Sequence, residues 1–174
     1  MTTTLVLGGK APSTSQHAAA LLRGQDQVCR VVTGSSAGDD AATSDHPESW
    51  AVLETRDLTR ALLSSRHPVL VDNVPDWLRG QLDDHDAWGD DLTARGLVDG
   101  LVDELAVASQ ALPYEVVIIS QDLGWAPPAA TDHERLFGEL LGHVNERLSA
   151  ASTRVHAVIA GRVLDLSQAP VVGH

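Results

Sequence analysis

Cysteine is almost missing from this chain: Cys29 is the single one. An internal disulfide is therefore impossible, and nothing points to secretion; a thiol buried in a strand is the expected state. Long apolar runs are also missing, since no stretch approaches the roughly 20 residues that a membrane-spanning helix needs. No basic n-region with a long apolar segment opens the sequence, so no signal peptide is expected and the cytoplasm is the default compartment. Positive charge is scarce: 12 Lys and Arg stand against 24 Asp and Glu, a net charge of −12. That balance argues against nucleic acid or a membrane surface as partner, because both select a basic face. A phosphorylated ligand stays open, because backbone amides and a metal ion can hold an anion with little side-chain charge. No H-E-x-x-H, C-x-x-C or G-x-S-x-G occurs, which sets zinc hydrolases and serine hydrolases aside. There is no internal repeat.

What remains is ordinary for a globular protein: 174 residues, 43% of them hydrophobic. One domain spanning 1–174 is expected, large enough for a full core. Strand patterns at Thr4–Leu7, Gln27–Thr33, Pro68–Asp72, Glu115–Ser120 and Val155–Ala160 are continuously apolar or β-branched. Such runs indicate a parallel sheet covered on both faces. Helices are expected at Thr14–Leu22, from a Thr55 cap through Leu62, over Leu92–Ser109, and behind the Thr131–Glu134 capping box. Val74–Asp84 reads as irregular or short helix, and Arg162–Leu166 as an edge strand pairing back. Gly34–His46 is small and polar, hence a mobile loop, and Gln168–His174 a loose tail. The fold class is a three-layer α/β domain with a mainly parallel sheet.

Chemistry concentrates where the first strand ends. Leu5-Val6-Leu7-Gly8-Gly9-Lys10-Ala11-Pro12-Ser13-Thr14-Ser15 has the layout of a phosphate-binding loop between a strand and a helix. The signature is G-x-x-x-x-G-K-[ST]. Gly8 takes the first glycine position and Ser15 the last, but Ser13 stands for the second glycine and Thr14 for the lysine. A threonine cannot place a cation on the β- and γ-phosphates. Lys10 could reach them from another direction or be a plain exposed lysine, and Pro12 removes one backbone donor. Asp72 ends an apolar strand, as Gly8 does, and ligands of parallel sheets bind at such ends. With Ser15 it is a candidate magnesium site, direct or through water; a turn or cap residue is the plainer reading. His46, beside Pro47, is a candidate nucleophile or a surface residue. Gln121 and Asp122 follow the strongest strand and could orient a ligand on which Trp125 stacks. No other histidine has a compelling partner in the sequence: His17 faces the end of the first helix, and His143 and His156 show no metal-ligand spacing.

In chain order these residues resemble the bifunctional adenosylcobinamide kinase/adenosylcobinamide-phosphate guanylyltransferases of cobalamin biosynthesis. Leu5–Gly9 and Ser15-Gln16-His17-Ala18 are similar to that family's opening strand, P-loop and first helix. Pro47-Glu48-Ser49-Trp50 with Glu54 resembles its R-P-x-x-W-x-T-x-E stretch. Asp72 with Trp77-Leu78 resembles its D-C-L-T-x-W-L segment. Ser120-Gln121-Asp122-Leu123-Gly124 resembles S-N-E-V-G. Arg135-Leu136-Phe137 with Gly142-His143-Val144-Asn145 resembles R-x-F-R-D-x-x-G-x-x-N, and Ala160–Leu166 resembles A-G-x-P-L-x-L. The resemblance implies a RecA-like P-loop fold, a homotrimer, GTP or ATP with Mg²⁺, and a corrinoid substrate. Two activities are implied: phosphorylation of the cobinamide hydroxyl, then GMP transfer through a covalent guanylyl-histidine. The chain departs at both. The P-loop G-K is Ser13-Thr14, and the positions of the histidine are Ala41 and Ala42, with His46 in the place of the arginine before Pro47. A non-catalytic member that binds nucleotide or corrinoid, or serves as an assembly partner, is the alternative.

Overall fold

The computed structural model describes residues 2–9, 12–34, 47, 49–124 and 126–172. Among them the chain alternates strand and helix: β1 (Thr3–Gly8), α1 (Pro12–Leu21), β2 (Cys29–Val32), β3 (Ala51–Glu54), α2 (Leu58–Ser64), β4 (Val69–Asp72), α3 (Val74–Asp84), α4 (Asp91–Ala111), β5 (Val116–Gln121), α5 (Asp132–Ala151), β6 (Arg154–Ile159) and β7 (Arg162–Asp165). The strands form one seven-stranded sheet in the order β3-β2-β4-β5-β1-β6-β7. Every pairing is parallel except β6 with β7, which closes the edge as a hairpin. This is the α/β architecture with a mainly parallel sheet that the apolar runs predict.

Period-2 alternation sorts each strand's side chains onto two faces. Leu5, Val31, Val71 and Ile118 point into a core shared with α2, α3, α4 and α5. Val6, Leu70, Val117 and Ile119 point into a smaller core roofed by Ala18, Ala19 and Leu22 at α1. Alanines on α1 let its backbone lie close to the sheet. The capping box forms as expected: Thr131 Oγ1 accepts from the Glu134 N–H while the Glu134 carboxylate accepts from the Thr131 N–H.

Three local readings are corrected. The N-cap of α2 is Asp57, which accepts from the Arg60 N–H at 3.0 Å, and not Thr55. Val74–Asp84 is a full helix, started by the Asn73 side chain and by proline in its first turn, where a missing N–H costs nothing. Ala51–Glu54 forms β3, which no apolar run announced because all four residues are exposed at the sheet edge. Of the Gly34–His46 loop, residues 35–46 lie outside the described residues.

Candidate functional site

Parallel strands bring their carboxyl ends to one rim, where Gly8 of β1 pairs across to Gln121 of β5 and Val158 of β6. Helix α1 leaves this rim at Pro12, two residues earlier than the sequence suggests. Proline suits that start because its φ is already helical. The early start turns Thr14 inward: it is 3% exposed, with Oγ1 3.5 Å from the Gly9 carbonyl oxygen. A Cβ placed on Gly8 would lie 2.1 Å from Thr14 Oγ1 and 2.9 Å from its Cγ2. Gly8 is thus required for contact with Thr14, a close approach that a side chain would block. The position that holds lysine in the signature packs against the end of β1. Gly9 is exposed, and Ser13 and Ser15 are half-buried at the mouth of α1. Lys10, the sole lysine of the sequence, lies outside the described residues, as do His46 and Trp125.

The neighbouring strand end is pinned from α5. Ser120 Oγ, fully buried, donates to Asn145 Oδ1 at 2.6 Å, and Asn145 Nδ2 donates to the Gln121 carbonyl at 2.8 Å. Gln121 is half-buried beside Gly8. Asp122 is exposed and closes a turn, accepting from the Gly124 N–H at 2.8 Å.

Asp72 is placed differently. Val71 pairs with Ile118, so Asp72 is level with Ile119, two residues short of the Gln121–Gly8 level. Strand β5 stands between β4 and β1, so about 10 Å of sheet separates its strand from that of Gly8. Its Oδ2 accepts from Arg30 Nε at 2.8 Å and Nη2 at 2.5 Å, and the two side chains are 16% and 12% exposed. Asp72, expected to hold magnesium together with Ser15, is thus engaged by Arg30. Next along, Asn73 takes a left-handed conformation at φ 79°, its carbonyl accepts from Thr33 Oγ1 at 3.0 Å, and its side chain donates to Asp76 at 2.6 Å.

A second pair went unnoticed in the sequence. His17 Nε2 on α1 and His156 Nδ1 on β6 share a hydrogen bond of 2.9 Å, and Asp165 of β7 lies 4.0 Å from the far nitrogen of His156. Burial, and then the neighbouring His156, hold the His17 pKa below the ordinary value of 6.5. The partners are 139 residues apart, so no local spacing could have revealed them. His143 instead bonds Asp99 across the α4–α5 surface at 2.6 Å. Among the described residues no group of three or more His, Cys, Asp or Glu could hold a metal ion, and no helix is long and apolar enough to cross a membrane.

A strand, a glycine turn and a helix at the carboxyl rim of a parallel sheet, with a carboxylate ending a strand beyond the neighbouring one, define the P-loop class of three-layer α/β proteins. The family described as cobinamide kinase / cobinamide phosphate guanyltransferase matches residues 4–166, and the chain belongs to it. It is 28% identical over 173 residues to the bifunctional adenosylcobalamin biosynthesis protein CobU of Escherichia coli (strain K12), covering 90% of this chain and 95% of that protein. Against the protein of the same name from Salmonella typhimurium it is 29% identical over 174 residues, with the same coverage. A solved structure from Pyrococcus horikoshii OT3 shares the fold at a TM-score of 0.52 and 9% identity, over 97% of this chain and 87% of that one.

Proposed function

We propose that this protein acts in the assembly of adenosylcobalamin as a divergent cobinamide kinase and cobinamide-phosphate guanylyltransferase. The observation that carries the reading is Gly8 at the rim of the sheet, packed against the first turn of α1, within a family match that runs through nearly the whole chain. GTP or ATP would bind over the amides of Gly8, Gly9 and Lys10 and the mouth of α1 at Ser13, Thr14 and Ser15. A helix N-terminus favours an anion there through its unpaired N–H groups and its dipole. Gln121 and Asp122 would orient the nucleotide from β5. His46 would serve as nucleophile: its ring nitrogen attacks the α-phosphorus of GTP, a P–N bond forms, and pyrophosphate leaves. The phosphate of cobinamide phosphate then takes GMP from the histidine. A magnesium ion would enter with the nucleotide and meet Ser15, and it supplies charge neutralisation on the phosphates. A homotrimer in the cytoplasm, where nucleoside triphosphates are held, completes the proposal.

One observation favours a second reading, nucleotide binding without turnover. Thr14 is buried against Gly8 and brings no cation, and stabilisation of charge developing on a transferred phosphoryl group is worth several kcal/mol. Calorimetry with GTP and magnesium, followed by transfer of label from α-labelled GTP, separates the two. Acid-labile label on the protein that vanishes in His46→Ala is the expected result. Binding without transfer selects the second reading, and no binding of any nucleotide overturns both. Light scattering on the eluting protein reads the trimer.

A further inference from the structure

The metal expected at this rim and the residues that would hold it disagree at Asp72. That carboxylate stands two residues behind the Gly8–Gln121 level and already neutralises a guanidinium. The Nε and Nη2 of Arg30 both donate to one carboxylate oxygen, and the pair has little contact with water. A dication placed on Asp72 would meet the fixed charge of Arg30 at short range, with little solvent to screen it. Drawing the carboxylate away would break two charge-assisted bonds in a place that water hardly reaches, the costly way to break such a pair. Arg30 is itself the odd residue of its strand: it sits between Cys29 and Val31, in register with Leu70 of β4 and Val52 of β3. A charge at such a place in a parallel strand calls for a partner, and among the described residues Asp72 supplies one.

We propose that Arg30 is a positioning residue that keeps Asp72 out of metal coordination, so that nucleotide binding by this chain does not depend on a magnesium ion held at Asp72. The binding arm of the test rests on the nucleotide site proposed above; the stability arm does not. In the stability arm, thermal melts without nucleotide are recorded with and without about 10 mM MgCl₂, since a cation that binds only the folded state raises Tm. The wild type and Arg30→Lys, which keeps the charge, are expected to show no magnesium-dependent shift. Arg30→Gln is expected to gain stability with magnesium, and Arg30→Gln combined with Asp72→Asn to lose that gain. A wild-type shift that Asp72→Asn abolishes, or no shift in folded Arg30→Gln, overturns the proposal. In the binding arm, GTP is titrated by calorimetry in MgCl₂ and in EDTA. Magnesium at Ser15 gives the wild type its own metal dependence, which Asp72→Asn is expected to change by less than about threefold and Arg30→Gln to increase by about tenfold, roughly 1.4 kcal/mol. A tenfold metal dependence in the wild type that Asp72→Asn removes tells against it. Failure of GTP to bind in either buffer sinks the nucleotide site alone, and the melts still decide the role of Arg30.

Discussion

The two faces of the sheet are built to different standards. One is covered by four helices and holds the large core of Leu5, Val31, Val71, Ile118 and their helical partners. The other has α1 as the helix in its core, and that smaller core includes Trp50 from the segment before β3. On the thick side α4 and α5 run parallel and are linked by a ladder at one constant separation of 44 residues: Asp91 with Arg135, Arg95 with Glu139, Asp99 with His143, and Asp103 with Arg147. The thin side carries the irregular chemistry: the His17–His156 pair, the Arg30–Asp72 pair, and the buried Thr4 hydroxyl, which has no hydrogen-bond partner among the described residues. Repetition marks the side that holds the fold together. Singular, long-range pairs mark the side that faces the candidate site.

Four substitutions or conditions probe that contrast, beginning with the largest effect. Leu140→Ala, at a fully buried position of the large core, is expected to cost about 2–5 kcal/mol in urea denaturation. A loss well under that range would put the main stability elsewhere. Gly8→Ala drives a Cβ into Thr14 and is expected to cost about 1–3 kcal/mol, much of it recovered when Thr14→Ala is added. No recovery in the double variant would mean that Thr14 is not what fills the turn. Acidification comes next. The native pKa of His17 lies below 6.5, so between 6.5 and that lower value the unfolded chain binds more protons than the folded one. Stability is therefore expected to fall as pH drops through this window, and His17→Asn to flatten the fall, read from denaturation midpoints at stepped pH. The smallest effect belongs to the ladder: Asp103→Asn is expected to change stability by less than about 1 kcal/mol, because both partners are about half exposed.

Legibility in the sequence follows the same division. β5 announced itself because Val116–Ile119 is buried on both faces and so continuously apolar. The α5 cap was readable because its partners stand three residues apart. β3 was hidden because an exposed edge strand has no face that must be apolar. α3 was under-read because Pro75, Gly80 and its acidic residues weigh against a helix, while Trp77, Leu78 and Leu82 bury it all the same. At the site, the strand ending at Gly8 and the helix soon after it were legible from local order. The partner of Asp72 was not, since Arg30 lies 42 residues away. The available signal was the arginine itself, a lone charge within an apolar strand. The inward turn of Thr14 depends on where α1 begins, and a threonine gives no sign of that by itself.

The constant step of the ladder also fixes where the chain can tolerate a change in length. A residue added to the connection between β5 and α5 leaves all four rungs in phase, because the loop takes up the slack. A residue added between Arg95 and Val98 rotates everything after it by about 100° about the axis of α4. The lower rungs then point away from α5, and the buried stripe of Val98, Val102 and Leu105 turns with them.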